Sequence, residues 1–597
     1  MSRTFGWVQN PNRLEKLKYI TGILLKDSYS NREMLDRRLP LLLHYNFMTK
    51  KDYDIFITEL SQSQIEIKYD VLKGKGLNGA KSRGQALCSG IVQACIDGHS
   101  SSKMVKNECG QLVKIKKPYV DDWTADGYLR WAVSTGLIEY NSDTDTCKIT
   151  ELGVNLVNAT ESSAEEVAAF TYALLSYPPV CRVLDILSDH QARTKFEIGS
   201  QLGFKGEMGF TSIPQKVYVY DLCSATGKKC SDIRSNEEGD SDKYARTIAN
   251  WLVQMGWVDT CEKEVTETYL GVTHKAKINA WCITRAGELA LLKSRGNSSN
   301  AKIPKIVQYE MLGTKVPDVA YIRLRRARLL RLLKTEKTII ALQKQLKDFG
   351  IDETEDVIKD ELLNFENIGI NISFNQNKYK LVDNIVGLEI PNKSVLATKD
   401  RVTNIKDEIR SKLHHINHDY LILVDLAYSD AATKSVKNMD AREFEIKTAK
   451  LLTEELDFHG DRLGDANRPD VIISYGTKGT IIDNKSYKDG FSLDVNCRGE
   501  MARYVEENQQ RIDGIPSNEW WKNFEPQVNE FTFLFITSFL KGNVKNGLEY
   551  IATMRNVNGA GIGVDNLLYV AENLKSGKLS YDGFFDLFNN DEIVMTI

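Results

Sequence analysis

Apolar positions along this chain recur in two periods, and where one gives way to the other the sequence repeats itself. Leu129-Arg130-Trp131-Ala132 leads to Gly136-Leu137-Ile138 and then to Cys147-Lys148-Ile149-Thr150-Glu151-Leu152-Gly153. Trp251-Leu252-Val253 leads likewise to Gly256-Trp257-Val258 and to Ala280-Trp281-Cys282-Ile283-Thr284-Arg285-Ala286-Gly287. A third copy runs through Leu362-Leu363-Asn364-Phe365, Gly369-Ile370 and Lys378-Tyr379-Lys380-Leu381-Val382. Each copy predicts a helix stopped by glycine, a short strand, a turn and a second strand. That is the wing end of a winged helix-turn-helix. The irregular spacing of the copies indicates three related domains rather than a solenoid. Helices are predicted upstream of each wing. Residues 194–204 have the length and glycine stop of a helix-turn-helix entry, residues 321–333 carry five arginines among apolar residues, and residues 352–365 supply the third copy's helix. A winged helix either reads DNA or packs on protein, and the pattern alone is compatible with both.

Polar stretches separate these modules. Residues 100–117 are rich in Lys and Ser and are predicted to be a loop. Residues 232–244 lead into a helix over 245–255, with Ser241 or Asp242 as its N-cap. This second stretch is either a solvated acidic loop or a reader of base edges through its Asn, Arg, Glu and Lys side chains. The interval 389–403 lacks strong periodicity and reads as a linker. Beyond it, helices are predicted over 404–426, 441–456 and 499–510, and Phe531-Thr532-Phe533-Leu534-Phe535-Ile536-Thr537 is an apolar strand. Alternating helix and strand predicts an α/β region. The expected fold class is therefore multidomain: three mostly α-helical winged helix-turn-helix subdomains followed by an α/β domain.

Composition narrows the setting. At 597 residues the chain is long enough for about four domains of ~150 residues. With 42% hydrophobic and 27% charged residues it is ordinary globular protein, and no apolar run approaches the ~18 residues of a membrane span. The N-terminal Met1-Ser2-Arg3-Thr4-Phe5-Gly6-Trp7 has no signal-peptide core. The ten cysteines are scattered without a C-x-x-C pair, which points away from zinc and disulfide frameworks and suits a reducing cytoplasm. A net charge of −3 does not advertise nucleic-acid binding, so any such affinity must come from local patches.

The densest chemistry lies at 468–485. Val471-Ile472-Ile473-Ser474-Tyr475 and Thr480-Ile481-Ile482-Asp483 read as strands, and Gly476-Thr477-Lys478-Gly479 has turn composition. Folding about Thr477 and Lys478 places Ile472 opposite Asp483 and Asp470 opposite Lys485, so that Asp470, Asp483 and Lys485 converge. Two carboxylates suit a hard divalent cation such as Mg2+. Lys485 can orient a water or neutralise charge, and is a general base only if the site depresses its pKa. The Pro469-Asp470…Asp483-x-Lys485 spacing resembles the PD-(D/E)xK restriction-endonuclease fold, although a hairpin with solvated charges carries the same letters. Glu445 lies upstream, where such folds often place a further carboxylate; the alternative is an exposed helix glutamate.

Longer stretches extend the resemblance to almost the whole chain. Arg3-Thr4-Phe5-Gly6-Trp7-Val8-Gln9-Asn10-Pro11, Asp126-Gly127-Tyr128-Leu129-Arg130-Trp131-Ala132 and Ser176-Tyr177-Pro178-Pro179 occur in order. Ser241-Asp242-Lys243-Tyr244-Ala245-Arg246, Arg503-Tyr504-Val505-Glu506-Glu507-Asn508 and Asn518-Glu519-Trp520-Trp521-Lys522 follow. These runs resemble the FokI-type family of type IIS restriction endonucleases. The resemblance implies recognition subdomains at 1–160 and 161–298, a third winged helix at 299–388 packing on the nuclease, the linker 389–403, and a cleavage domain at 404–597. It implies Mg2+-dependent cutting of both strands of duplex DNA at a fixed distance from an asymmetric site, GGATG or a relative. It also implies a nuclease held inactive until that site is bound, a transient homodimer through the cleavage domain, and a cognate methyltransferase protecting the host genome.

By motif position Asp470, Asp483 and Lys485 fall on the family's catalytic residues, with Asp470 and Asp483 as metal ligands. Gln9, Asn10, Arg83 and Trp123 fall on recognition positions of the first module, and Glu238 and Lys243 on those of the second. Arg and Lys suit guanine, and Asn and Gln suit adenine. The rival readings are a core aromatic for Trp123 and an N-terminal turn for Gln9 and Asn10. Two departures stand out. Ser235 and Glu237 replace the family's Asn and Trp, and Gly499 replaces an Asp that bridges to the partner's arginine, which is retained as Arg503. Glu500 or another acid is a candidate substitute. A DNA-binding regulator with a silent nuclease domain is the main rival reading, but the complete Asp470, Asp483 and Lys485 set counts against it. A structure-specific repair nuclease is a third, disfavoured by three modules with base-reading residues.

Overall fold

A computed structural model describes residues 13–44, 48–69, 102–106, 109–116, 122–141, 143–202, 215–234, 243–269, 272–296, 301–313, 319–391, 401–429, 439–464, 468–512 and 519–595. The repeated pattern folds as the glycine stops predict. Helix α1 (Asp122–Ser134) leads to strands β1 (Ile138–Asn141) and β2 (Thr146–Ile149). Helix α2 (Lys243–Gln254) leads to β3 (Val258–Tyr269) and β4 (Val272–Ile283). The third module brings helices α3 (Val319–Leu332) and α4 (Glu355–Asn367) to β5 (Ile372–Asn375) and β6 (Lys378–Leu381). Gly136, Gly256 and Gly369 take φ of +71°, +67° and +89°, which the residue ending each helix needs. The next amide then reaches back to the last turn: Leu137 to Ala132 at 3.0 Å, Trp257 to Leu252 at 2.9 Å and Ile370 to Phe365 at 2.9 Å.

In the first two modules the second strand ends in a Thr-x-x-Gly helix start. The Thr150 and Thr284 hydroxyls accept from the Gly153 and Gly287 amides, each at 3.1 Å. A Cβ at Gly153 or Gly287 would lie 2.3 or 2.1 Å from the carbonyl oxygen of Leu137 or Trp257, so the glycines let helix and strand meet. The third module lacks this signature. The stretch 100–117 contains strands Ser102–Lys106 and Leu112–Lys116 rather than only loop, with Val105 paired to Val113 and Lys103 to Ile115. Its alternating valines and isoleucine specify a hairpin that the Lys-rich composition concealed.

The three modules share one continuous core running from Leu14 to Leu381. At its centre Trp131 of α1 stacks on Trp251 of α2, ring centroids 4.4 Å apart. The arginine-rich α3 turns two of its five arginines inward. Arg325 and Arg326 are buried against Glu353 and Glu361, with Arg325 Nη1 2.7 Å from Glu353 and Arg326 Nε 2.7 Å from Glu361. Among the described residues no single helix is long and apolar enough to cross a membrane.

Helix α5 (Arg401–Arg410) opens the C-terminal region three residues earlier than 404, and it does not run on to 426. The chain breaks after Leu413 and resumes at His418–Leu421 and Ile422–Ala427. The break is held from afar: Glu572 accepts from the amides of His414, His415 and Ile416 at 3.0–3.2 Å. After α6 (Met439–Lys450) come strands β7 (His459–Arg462), β8 (Val471–Tyr475) and β9 (Lys478–Lys485), then α7 (Val495–Gln510) and β10 (Glu530–Thr537). Helix α8 (Val544–Arg555), β11 (Gly559–Gly563), α9 (Val564–Lys575) and β12 (Glu592–Ile593) complete it. The six strands lie in sequence order, antiparallel from β7 to β9 and parallel from β9 to β12. Alternation decides the layers: Val471, Ile473 and Ile482 pack towards α5, α6 and α9, while Ile472 and Ile481 pack towards α7 and α8.

Candidate active site

The β8–β9 hairpin turns one residue earlier than the sequence reading placed it. Gly476 takes φ +60°, so Gly476 and Thr477 form a two-residue turn and Tyr475 pairs with Lys478. Ile472 therefore faces Ile481 rather than Asp483, and Val471 faces Ile482. The Asp470 amide donates at 3.1 Å to the carbonyl of Ile482, the residue already paired with Val471, so Asp470 bulges from the end of the ladder beside Ile482 instead of pairing with Lys485. The three side chains still converge: the Asp470 and Asp483 carboxyls are neighbours, and Lys485 lies against Asp483.

Backbone and side-chain contacts fix them. Asp470 Oδ2 accepts from the Asn484 amide at 2.7 Å. Asp483 and Lys485 share a strand face, and Lys485 Nζ lies 2.8 Å from Asp483 Oδ2. Asp483 is buried, and the ammonium is the cationic neighbour of its Oδ2. Burial pushes the Asp470 carboxyl well above its usual range, and the like charges of Asp483 and Glu445 push it further. Asp483 is raised as well, burial outweighing the attraction of Lys485. Burial alone would lower the Lys485 pKa, but Asp483 and Glu500 outweigh it and raise it above the ordinary lysine value. In the metal-free protein Lys485 is therefore held as an ammonium.

Two adjacent carboxylates, Asp483 buried and Asp470 half-buried, offer the oxygen ligands that a hard divalent cation takes. Among the described residues no group of three or more His, Cys, Asp or Glu side chains is arranged to hold a metal ion. Glu445, though close enough to raise Asp470, is gripped by Arg462, whose Nη2 and Nε lie 2.6 and 2.9 Å from Glu445 Oε2. It is not an exposed helix glutamate, since only 16% of its side chain is accessible. Glu500 was read from sequence only as a candidate acid for the dimer contact, not as a neighbour of the catalytic lysine. Its Oε2 lies 3.5 Å from Lys485 Nζ, and the i to i+4 spacing to Tyr504 was the only local signal.

The remaining sequence candidates divide sharply. Gln9, Asn10, Arg83 and Glu238, with Ser235, Glu237, Ser241 and Asp242, lie outside the described residues. Trp123 falls in the first turn of α1 and Lys243 begins α2, the helices that precede the first two wings; only their backbone is described. Arg503 on α7 donates to Glu507 at 3.0 Å and lies over the Tyr504 ring at 4.6 Å. A Cβ at Gly499 would meet nothing within 4 Å, so packing does not demand glycine there.

Comparison with known proteins covers the chain end to end. Family profiles of FokI match residues 3–159 (recognition domain, subdomain 1), 166–299 (recognition domain, subdomain 2), 312–377 (D3 domain) and 399–595 (cleavage domain). The type II restriction enzyme FokI of Planomicrobium okeanokoites is 35% identical over 601 residues, 99% of each chain. The type II restriction enzyme StsI of Streptococcus sanguinis is 28% identical over 597 residues, 96% of this chain and 93% of the relative. Two solved structures, restriction endonuclease FokI and FokI bound to DNA, superpose with TM-scores of 0.84 and 0.86 at 34% identity, covering 99% of this chain and all of theirs. With a carboxylate pair and lysine on the sheet and FokI matches along the whole length, the chain belongs to the FokI family of type IIS restriction endonucleases, which are site-specific deoxyribonucleases.

Proposed function

We propose that this chain binds an asymmetric duplex site, GGATG or a relative, and hydrolyses both strands at a fixed distance downstream in a Mg2+-dependent reaction. The observation that carries the catalytic part is the adjacent pair Asp470 and Asp483 beside the Lys485 ammonium. Asp470 and Asp483 hold the cation. When bound, Mg2+ polarises the scissile phosphoryl group and acidifies a water. Lys485 orients the attacking water and offsets charge gathering on the phosphoryl oxygens. Glu445 tunes Asp470 through its charge while Arg462 holds it in place.

Recognition is assigned to residues 1–160 and 161–298, through Gln9, Asn10, Arg83 and Trp123 in the first and Glu238 and Lys243 in the second. Residues 299–388 pack on the nuclease, 389–403 link, and 404–597 cut. One active site per chain needs two chains for two strands. Exposed Val495, Ile512, Tyr550 and Met554 on and beside α7 and α8, with Arg503, supply a surface for a transient homodimer. The enzyme acts in the bacterial cytoplasm, alongside a methyltransferase that marks the same site.

The test is digestion of a randomised duplex library with Mg2+, sequencing both cut ends. One asymmetric motif beside cuts at constant distance is the expected result. Specific binding with no cutting would overturn this reading in favour of a silent regulator, and cuts without a motif would overturn the assigned specificity.

A further inference from the structure

We infer that Glu500 is a positioning residue for Lys485 and that, through Tyr504 and Arg503, it couples the exposed face of α7 to the reaction centre; this rests on the catalytic roles proposed above. Lys485 Nζ has two carboxylate neighbours, Asp483 Oδ2 at 2.8 Å and Glu500 Oε2 at 3.5 Å. Asp483 is also offered to the cation, so its hold on the lysine is shared. Glu500 has no such second duty.

The other oxygen of Glu500 is itself anchored. Oε1 accepts from the Tyr504 hydroxyl at 3.1 Å, and the Tyr504 ring is buried in the core between α7 and the sheet. The chain of contacts continues outward. The Arg503 guanidinium lies 4.6 Å over the Tyr504 ring and donates to Glu507 at 3.0 Å, while Glu507 also accepts from the Trp520 indole at 2.8 Å. Both carboxylate contacts use the i to i+4 spacing of α7, so one rigid helix sets the whole series. A lysine is a point charge on a flexible four-carbon stem, and one partner leaves its head free to swing. A second carboxylate, pinned by a buried phenol, narrows that swing. A chain that engages Arg503 on its outer side therefore touches a series of side chains ending at Lys485.

The Glu500 side chain is 42% exposed, so its pair with Lys485 contributes little to folding and the role can be tested cleanly. The full-length enzyme is compared with Glu500→Ala, Glu500→Gln and Tyr504→Phe in single-turnover cleavage with Mg2+. DNA affinity without divalent cation and thermal melting are measured alongside. Acetylation of Lys485 by acetic anhydride in metal-free protein, followed by peptide mass spectrometry, reports on the lysine independently of cutting. Glu500→Ala is expected to slow the cleavage step about 10–100-fold with affinity and melting unchanged. Glu500→Gln is expected to recover part of the loss and Tyr504→Phe to show a smaller one, with Lys485 acetylation rising in step. Wild-type cleavage by Glu500→Ala, unaltered acetylation, or a rate loss that tracks melting would each overturn the inference. A wild-type enzyme that does not cut would instead sink the catalytic assignment, while the acetylation series would still decide whether Glu500 holds Lys485.

Discussion

At the active hairpin, stability and chemistry pull in opposite directions on single side chains. Asp470 is half-buried beside buried Asp483, and both carboxylates are disfavoured in the charged form. Asp470→Ala and Asp483→Ala are each expected to abolish cleavage while leaving site-specific binding intact, as measured by digestion and gel shift on one duplex. Loss of binding would instead place these residues in the reader or the scaffold. Asp470→Asn removes one of the repelling charges and keeps the shape, so the metal-free protein should gain about 0.5–2 kcal/mol in a melting experiment. The buried network of the third module behaves oppositely. Burial pushes Glu361 up, but Arg326 and Arg325 outweigh it and bring its pKa down to about 2. Glu361→Leu takes a carboxylate partner from both buried guanidinium groups and should cost about 3–5 kcal/mol in chemical denaturation. Because the folded pKa lies below the unfolded value of about 4.3, the Glu361 contribution is present above pH 4.3 and fades as pH falls towards 2.

Among elements, glycine gives the sharpest contrasts. Gly256 and Gly369 both end helices at positive φ, but a Cβ at Gly256 meets nothing within 4 Å, whereas one at Gly369 lies 2.1 Å from the Pro178 carbonyl. Gly256→Ala should therefore cost only the left-handed backbone penalty, about 1–2 kcal/mol, and Gly369→Ala distinctly more, by urea unfolding. Gly499 sits inside α7 in open space, so Gly499→Ala should stabilise by about 0.5–1 kcal/mol. The helix stops were legible in the sequence because glycine is the local signal for the conformation they need. So were the strands of the active hairpin, written in β-branched and aromatic residues. The register was not, because Gly476-Thr477 and Thr477-Lys478 are both acceptable turn centres until the positive φ of Gly476 selects one. Nor was the break in 404–426, imposed by Glu572 from more than a hundred and fifty residues away. The active-site contact of Glu500 was illegible for the same reason: what makes it informative there is Lys485, on another element.

In the whole molecule, the recognition modules and the nuclease meet at a contact that pH should loosen. Asp360 on α4 of the third module lies 3.1 Å from Arg410 Nε and 3.5 Å from His418 Nδ1, both belonging to the C-terminal region. His418 Nε2 faces the Leu413 carbonyl at 3.1 Å. With a carboxylate on one ring nitrogen and a carbonyl on the other, both nitrogens must donate, which is the imidazolium form. The hydrogen bond to Asp360 is the largest influence on His418 and raises its pKa above 6.5, against the opposing effects of burial and Arg410. A histidine raised on folding contributes its full stabilisation below the unfolded pKa and loses it as pH rises through the folded value. The contact should therefore be firmest below pH 6.5 and weaken above it. Hydrogen exchange of the 413–421 segment in the free enzyme should accelerate beyond the intrinsic exchange rate as pH rises above 6.5. His418→Gln, which cannot become charged, should remove that extra acceleration while Asp360→Asn removes it and raises exchange at every pH. If wild type and His418→Gln show the same pH profile, the histidine plays no part in holding the nuclease against the third module, and Arg410 with Asp360 carries the contact alone.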